Sequence, residues 1–271
     1  MNHIEDGIVA AADAQSLGGK APAYYLQPRN LLDNSNFTNP VNQRGQSSYS
    51  GNFVRSIDRW LAAEGPSGSV SVEIEDGGIT FTTSGGEIVY LIQRFEKGYL
   101  NLSKQHTIVA YMADGTVSFS GYIDTSEETM DGVNVTFPSG SKIKWVALYE
   151  GTYTADTLPP YVPKGYGAEL AECQRYYYKT VASNWDGSVC VAIGSSAFAP
   201  LYINLPVPMR ITPTVSNGVS SCDVFGTGAV SASITNASVD RWHYACMATV
   251  SSDYVGKIIK PIGAVAFSAD L

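Results

Sequence analysis

From Ser69 to Tyr149 hydrophobic and polar residues alternate over most short stretches, the period of a strand with one face buried. Ser69-Val-Ser-Val-Glu-Ile-Glu shows the alternation cleanly, Asp76-Gly-Gly supplies a hairpin turn, and Ile79-Thr-Phe-Thr-Thr returns along it. The same pattern predicts strands at Ile88–Gln93, Gln105–Met112, Thr116–Tyr122, Val133–Phe137 and Lys142–Tyr149. Asn30–Phe37 reads as an earlier strand, and Ile57–Ala63 begins another after a Gly/Ser/Asn-rich loop. About eight short strands separated by turn residues describe an antiparallel sandwich or jelly roll.

Leu158-Pro-Pro-Tyr-Val-Pro-Lys-Gly ends that pattern, because proline withholds a ladder donor and favours an extended linker. Gly167–Tyr178 then carries the one helical period, with Leu170, Cys173 and Tyr177 at i, i+3 and i+7 on one face. This helix is expected to seat one domain on another, and Tyr176-Tyr-Tyr178 to lie at an interdomain or intersubunit contact, since tyrosine combines an apolar ring with a hydroxyl that finds partners. Strands resume at Ser188–Ile193, Leu201–Val207, Thr212–Val215, Cys222–Phe225, Val230–Ile234, Trp242–Val250 and Gly263–Ala269. The fold expected is all-β: two antiparallel β-sandwich, jelly-roll-like domains joined by a Pro-rich linker and one short helix. Residues 1–29 form a connector, 30–157 the first domain, 158–179 the linker and helix, and 180–271 a smaller second sandwich.

Length agrees, since 271 residues exceed what one core usually serves. Charged residues make up 15% of the chain and the net charge is -8, with 17 basic residues scattered, which disfavours nucleic acid as a partner. No apolar run is long enough to span a membrane, and Met1–Gly7 is too polar for a secretory signal, so the chain is expected to be made in a cytoplasm without membrane insertion. Cys173, Cys190, Cys222 and Cys246 lack zinc-site spacing and read as buried free thiols, with two disulfides as the alternative.

Catalytic chemistry is hard to assemble. Glycan cleavage needs two carboxylates across a cleft, whereas Glu73 and Glu75 read as the solvated face of a strand and Glu127-Glu128 as a solubilising loop. His106 and His243 fall inside strand patterns with no nucleophile elbow. Asp114 and the loop Asp124–Asp131 offer clustered oxygen ligands without EF-hand spacing, leaving a structural calcium open but no other cofactor. Sugar rings stack on aromatics while their hydroxyls seek amides, carboxylates and guanidinium groups. Arg44, Tyr49 and Asn52, beside Phe53, form one such set; Asn184, Trp185 and Asp186 form another; Trp242, between Arg241 and His243, is a third candidate. Trp60 and Trp145, on strands beside aliphatics, are expected in the core.

Asn30-Leu-Leu-Asp-Asn-Ser-Asn-Phe, Pro40-Val-Asn-Gln-Arg-Gly-Gln and Asp58-Arg-Trp resemble the opening of modules in tail-fibre and tail-tip proteins of bacteriophages and prophages. Trp145-Val-Ala-Leu-Tyr-Glu-Gly, Glu169-Leu-Ala-Glu-Cys-Gln-Arg-Tyr-Tyr and Leu205-Pro-Val-Pro-Met-Arg-Ile-Thr-Pro-Thr-Val are similar to phrases that follow there in the same order, and Asp13-Ala-Gln-Ser-Leu-Gly-Gly-Lys to a segment preceding fibre tips. The resemblance implies a homotrimeric virion component whose first domain is similar to jelly-roll carbohydrate-binding modules. Its partners would be bacterial surface glycans and other tail proteins. It supplies no residue-level sugar site, because function does not follow from fold.

Overall fold

A computed structural model describes residues 28–64, 68–180, 190–191 and 198–270. Among the described residues strand predominates, one α-helix is present and the paired strands are antiparallel, in agreement with the all-β sandwich expectation.

The first domain contains β1 (Ser48–Gly51), β2 (Val54–Arg55), β3 (Leu61–Ala63), β4 (Val70–Glu75), β5 (Gly78–Thr83), β6 (Ile88–Glu96), β7 (His106–Met112), β8 (Val117–Ser118), β9 (Gly121–Asp124), β10 (Met130–Pro138) and β11 (Ser141–Glu150). One sheet has the order β1-β4-β5-β11-β7-β8 and the other β2-β3-β6-β10-β9. Alternation places Val70 and Val72, Phe81, Val89 and Leu91, Val133 and Val135, and Val146 and Leu148 in the shared core. Trp60, Phe37, Phe81 and Phe137 run through its centre as tilted and edge-to-face ring pairs with centroids 5.4–6.1 Å apart, which favours the ring quadrupoles. β1 and β2 bound one open end of the sandwich, and β8 and β9 the other.

Asn30–Phe37 departs from its expected strand form. Asn34 takes the left-handed conformation (φ 48°), which asparagine tolerates better than most residues. Its amide side chain donates to the Val41 and Asp58 carbonyls and accepts from the Val41 N–H, all at 2.7–2.8 Å. Its own carbonyl accepts from the Trp60 indole at 2.8 Å. The segment is therefore a buried bracket that locks the Trp60 ring. Trp60 is core as expected; Trp145 is only half-buried, with Tyr111 stacked on one face and Tyr161 of the linker on the other, centroids at 5.0 and 4.6 Å.

The helix α1 spans Tyr166–Gln174, and β12 (Tyr177–Lys179) follows at once. Tyr177 thus leaves the helix for a strand, and the inward helical face holds Glu169 and Cys173 while Leu170 is half-buried. The second domain continues with β13 (Cys190–Val191), β14 (Phe198–Asn204), β15 (Thr214–Asn217), β16 (Ser221–Val224), β17 (Gly228–Ser231), β18 (Ser233–Val239), β19 (His243–Thr249), β20 (Ile258–Ile262) and β21 (Val265–Ser268). Three small sheets, β12-β21-β15, β13-β20-β16-β17 and β14-β19-β18, enclose a separate core that includes Ile203, Met209, Val224, Tyr244, Val265 and Phe267. Cys173 and Cys246 are buried free thiols, so the alternative of two disulfides does not hold.

Candidate functional site

β1 joins the outer edge of the first sheet through the pairs Ser48↔Glu73, Tyr49↔Val72, Ser50↔Ser71 and Gly51↔Val70. Successive strand residues face opposite sides, so Tyr49 turns into the core at 8% exposure while Ser48, Ser50 and Glu73 face solvent together with the half-buried Ser71. The chain then turns through Asn52 and Phe53 into β2. Phe53 is held at φ 55°, a conformation that costs a bulky residue on the order of 1–3 kcal/mol, and the residue is 52% exposed. A cleft of 520 Å³ opens between β1 and β2, lined by Gln46, Ser48, Ser50, Asn52, Phe53, Arg55 and Glu73 among others. It sets one apolar ring among hydroxyls, amides, a guanidinium and a carboxylate.

Asn52, expected as a sugar ligand, lines this cleft. Tyr49 touches it only from below, since its ring belongs to the core and its hydroxyl donates to Asn42 Oδ1 at 2.6 Å, which corrects its expected role as a stacking platform. Arg44 is also committed elsewhere. Its guanidinium donates to Asp58 Oδ1 at 2.9 Å and to Asp270 Oδ2 at 2.8 Å, and lies 4.0 Å from the Tyr177 ring centroid. Gln43 Nε2 donates to Asp58 Oδ2 at 2.9 Å and to the Tyr177 carbonyl at 2.6 Å. Arg44 is therefore a clasp between the first domain and the strand region that closes the second. Tyr177 does stand at that junction, through β12 rather than through α1. Burial pushes the Asp58 carboxyl up to about 6, against the opposing pull of the Gln43 hydrogen bonds and Arg44.

The helix completes a second buried network. Asp33, Glu169 and Glu172 converge, their ligand-capable atoms within 4.8 Å of one another. Lys164 Nζ occupies the neighbourhood, 3.2 Å from Asp33 Oδ1 and 4.0 Å from Glu169 Oε1 and paired with Glu172. Arg59 Nε reaches Asp33 Oδ2 at 3.2 Å, and its guanidinium lies 3.5 Å from the Tyr176 ring centroid. Burial pushes Asp33 up, but Arg59 and Lys164 outweigh it and hold this carboxyl below its ordinary range. Burial raises Glu169 and Glu172. With a lysine and an arginine supplying the positive charge, the trio works as an ion-pair knot. Of the carboxylates weighed for calcium, Asp114 and Asp124 each accept an N–H two residues on, from Thr116 at 2.8 Å and Ser126 at 3.0 Å, and buried Asp131 lies 3.0 Å from Lys97 Nζ.

In the second domain Asp240 Oδ1 accepts the N–H groups of Trp242 and His243, each at 2.7 Å, and this turn holds Trp242 54% exposed. The adjacent His243 ring stacks on exposed Tyr202, centroids 5.5 Å apart. Asn184, Trp185 and Asp186 lie outside the described residues. Of the three expected sets, one therefore forms a cleft through Asn52 and Phe53, and Trp242 stands on a separate exposed surface. Sequence reasoning missed Arg55, Ser71 and Glu73, because they join the cleft only through the β1–β4 register and the Asn42–Phe53 segment carries no clear alternation. Comparison with protein-family models, with curated proteins and with solved structures gives no match to this chain.

Proposed function

We propose that the chain is a non-catalytic adhesin of the phage tail-fibre or receptor-binding kind, which holds bacterial surface glycans in the β1–β2 cleft. The observation that carries this reading is Phe53, an aromatic ring kept exposed by a strained backbone and ringed by hydrogen-bonding groups. Strain of this kind collects where a side chain must be presented in one pose. An exposed ring flanked by Ser50, Asn52, Arg55 and Glu73 offers stacking to a sugar's C–H face and partners to its hydroxyls. Among the described residues Glu73 is the one carboxylate lining the cleft, and hydrolysis by either common route needs two, which supports adhesion over cleavage. A shallow site of this size binds weakly by itself, and a homotrimer on a virion gains avidity because the second contact is intramolecular.

Phe53→Gly tests this reading with two readouts of opposite sign. Glycine accepts φ 55° without strain, so the melting temperature rises, by the equivalent of about 1 kcal/mol. Retention on host cells or a glycan array falls at least tenfold, because the stacking ring is gone. Undiminished retention by the stabilised variant refutes the site. A second reading, a tail component that binds other virion proteins, is favoured by exposed Trp242 and Tyr202, whose apolar area suits a protein contact.

A further inference from the structure

The opposite end of the first sandwich has different chemistry. β8 is two residues long and pairs with β7 only at Ala110 and Tyr111, so among the described strands nothing pairs with the outer edge of β7 from His106 to Val109. β9 is the facing edge strand of the other sheet. A cleft of 630 Å³ lies between them, larger than the one beside Phe53. Ile108 and Ile123 contribute its apolar lining, and Phe119 and Tyr122 flank it at 41% and 51% exposure.

The polar groups share one bias. Lys104 and His106 line the cleft together with Gln105, Thr107 and Thr125, and among the described residues no aspartate or glutamate does. The whole chain carries 25 acidic residues against 17 basic ones, so Lys104 gives this lining the sign opposite to the net charge of the chain. His106 Nε2 is enclosed and has no hydrogen-bond partner among the described residues. A buried polar atom without a partner is costly and is ordinarily met by water or a ligand. The uncovered edge of β7 adds backbone groups of the kind that pair with hydroxyls.

We propose that this cleft is a second saccharide site, selective for acidic sugars such as uronic acids. The proposal rests on the adhesive reading for its biological setting and on none of the residues of the β1–β2 cleft. Tyr122 and Phe119 hold the apolar ring face, and Lys104 faces the carboxylate.

The intact protein is titrated calorimetrically with a short oligogalacturonate and, in parallel, with its neutral methyl ester. Saturable binding of the acid form is expected, weakened by added salt because the charges are exposed. Tyr122→Ala lowers the affinity for both forms about tenfold. Lys104→Gln lowers affinity for the acid roughly fivefold and leaves the ester unchanged, which erases the preference. Both positions are at the surface, and unchanged circular dichroism confirms the fold. Absence of saturable binding, or binding indifferent to both substitutions, overturns the proposal. Phe53→Gly leaves this titration unchanged, so loss of cell adhesion in that variant and loss of oligogalacturonate binding here report on separate claims.

Discussion

Asp58 charges at a cost, and the cost has a sign that can be measured. The carboxyl is fully enclosed and receives Gln43 and Arg44, yet burial outweighs them and moves it from an ordinary 3.8 up to about 6. The unfolded chain takes up this proton near 3.8, whereas the folded chain takes it up near 6. Stability contributed by this group therefore increases as pH falls through 6 and levels off below about 4. At about 1.4 kcal/mol per pH unit of separation, the ionised form costs the fold about 3 kcal/mol at neutral pH. Asp33 acts oppositely, since its lowered value supplies stability that is lost only as pH falls below its ordinary range. Glu169 and Glu172 slope the same way as Asp58, so the total profile alone does not isolate it. Urea unfolding of the native protein and of Asp58→Asn, from about pH 7 to about pH 4, removes the shared part. The native protein should gain about 2 kcal/mol relative to the variant over that range. Parallel profiles, agreeing within about 0.5 kcal/mol, refute the assignment of the cost to Asp58.

Arg59→Met should lower stability by about 3 kcal/mol in thermal melts, because Asp33 loses a buried partner and keeps Lys164 alone; adding Asp33→Asn should recover part of the loss. Gly121→Ala should detach β9, since a methyl group there would sit 2.3 Å from the Asn134 carbonyl oxygen and 2.8 Å from Ile108 Cγ2. Faster amide exchange from Gly121 to Asp124 checks this, and the adjoining oligogalacturonate site should weaken with it.

The sandwich was most legible where burial is one-sided. In Val70–Glu75 and Gly78–Thr83 one face packs and the other meets water, so alternation and the Asp76-Gly77 turn declared both strands. Legibility failed where polar residues go inward. Glu169 is buried because the Asn34 N–H donates to it at 2.6 Å and Lys164 neutralises it, contacts 135 and 5 residues distant that helical periodicity cannot register. Tyr177 matched that period although Arg175 already caps the helix. Ile258–Ile262 escaped notice because Lys260 and Pro261 break its apolar run. Of the candidate site, Asn52 and Phe53 were visible as an aromatic among amides. Their strand partners were not, since register depends on contacts between Ser48–Gly51 and residues some 20 positions on.

The parallel rings of Tyr111, Trp145 and Tyr161 have a use beyond packing. Tyr161 belongs to the linker, while Trp145 and Tyr111 belong to strands of the first domain. If the linker peels away, one face of the indole passes from an aromatic neighbour to water, and its emission shifts to longer wavelength while Trp60 stays enclosed. The protein thus carries an intrinsic optical gauge of whether the segment between its two halves is docked, readable without a label while the rest of the fold is intact.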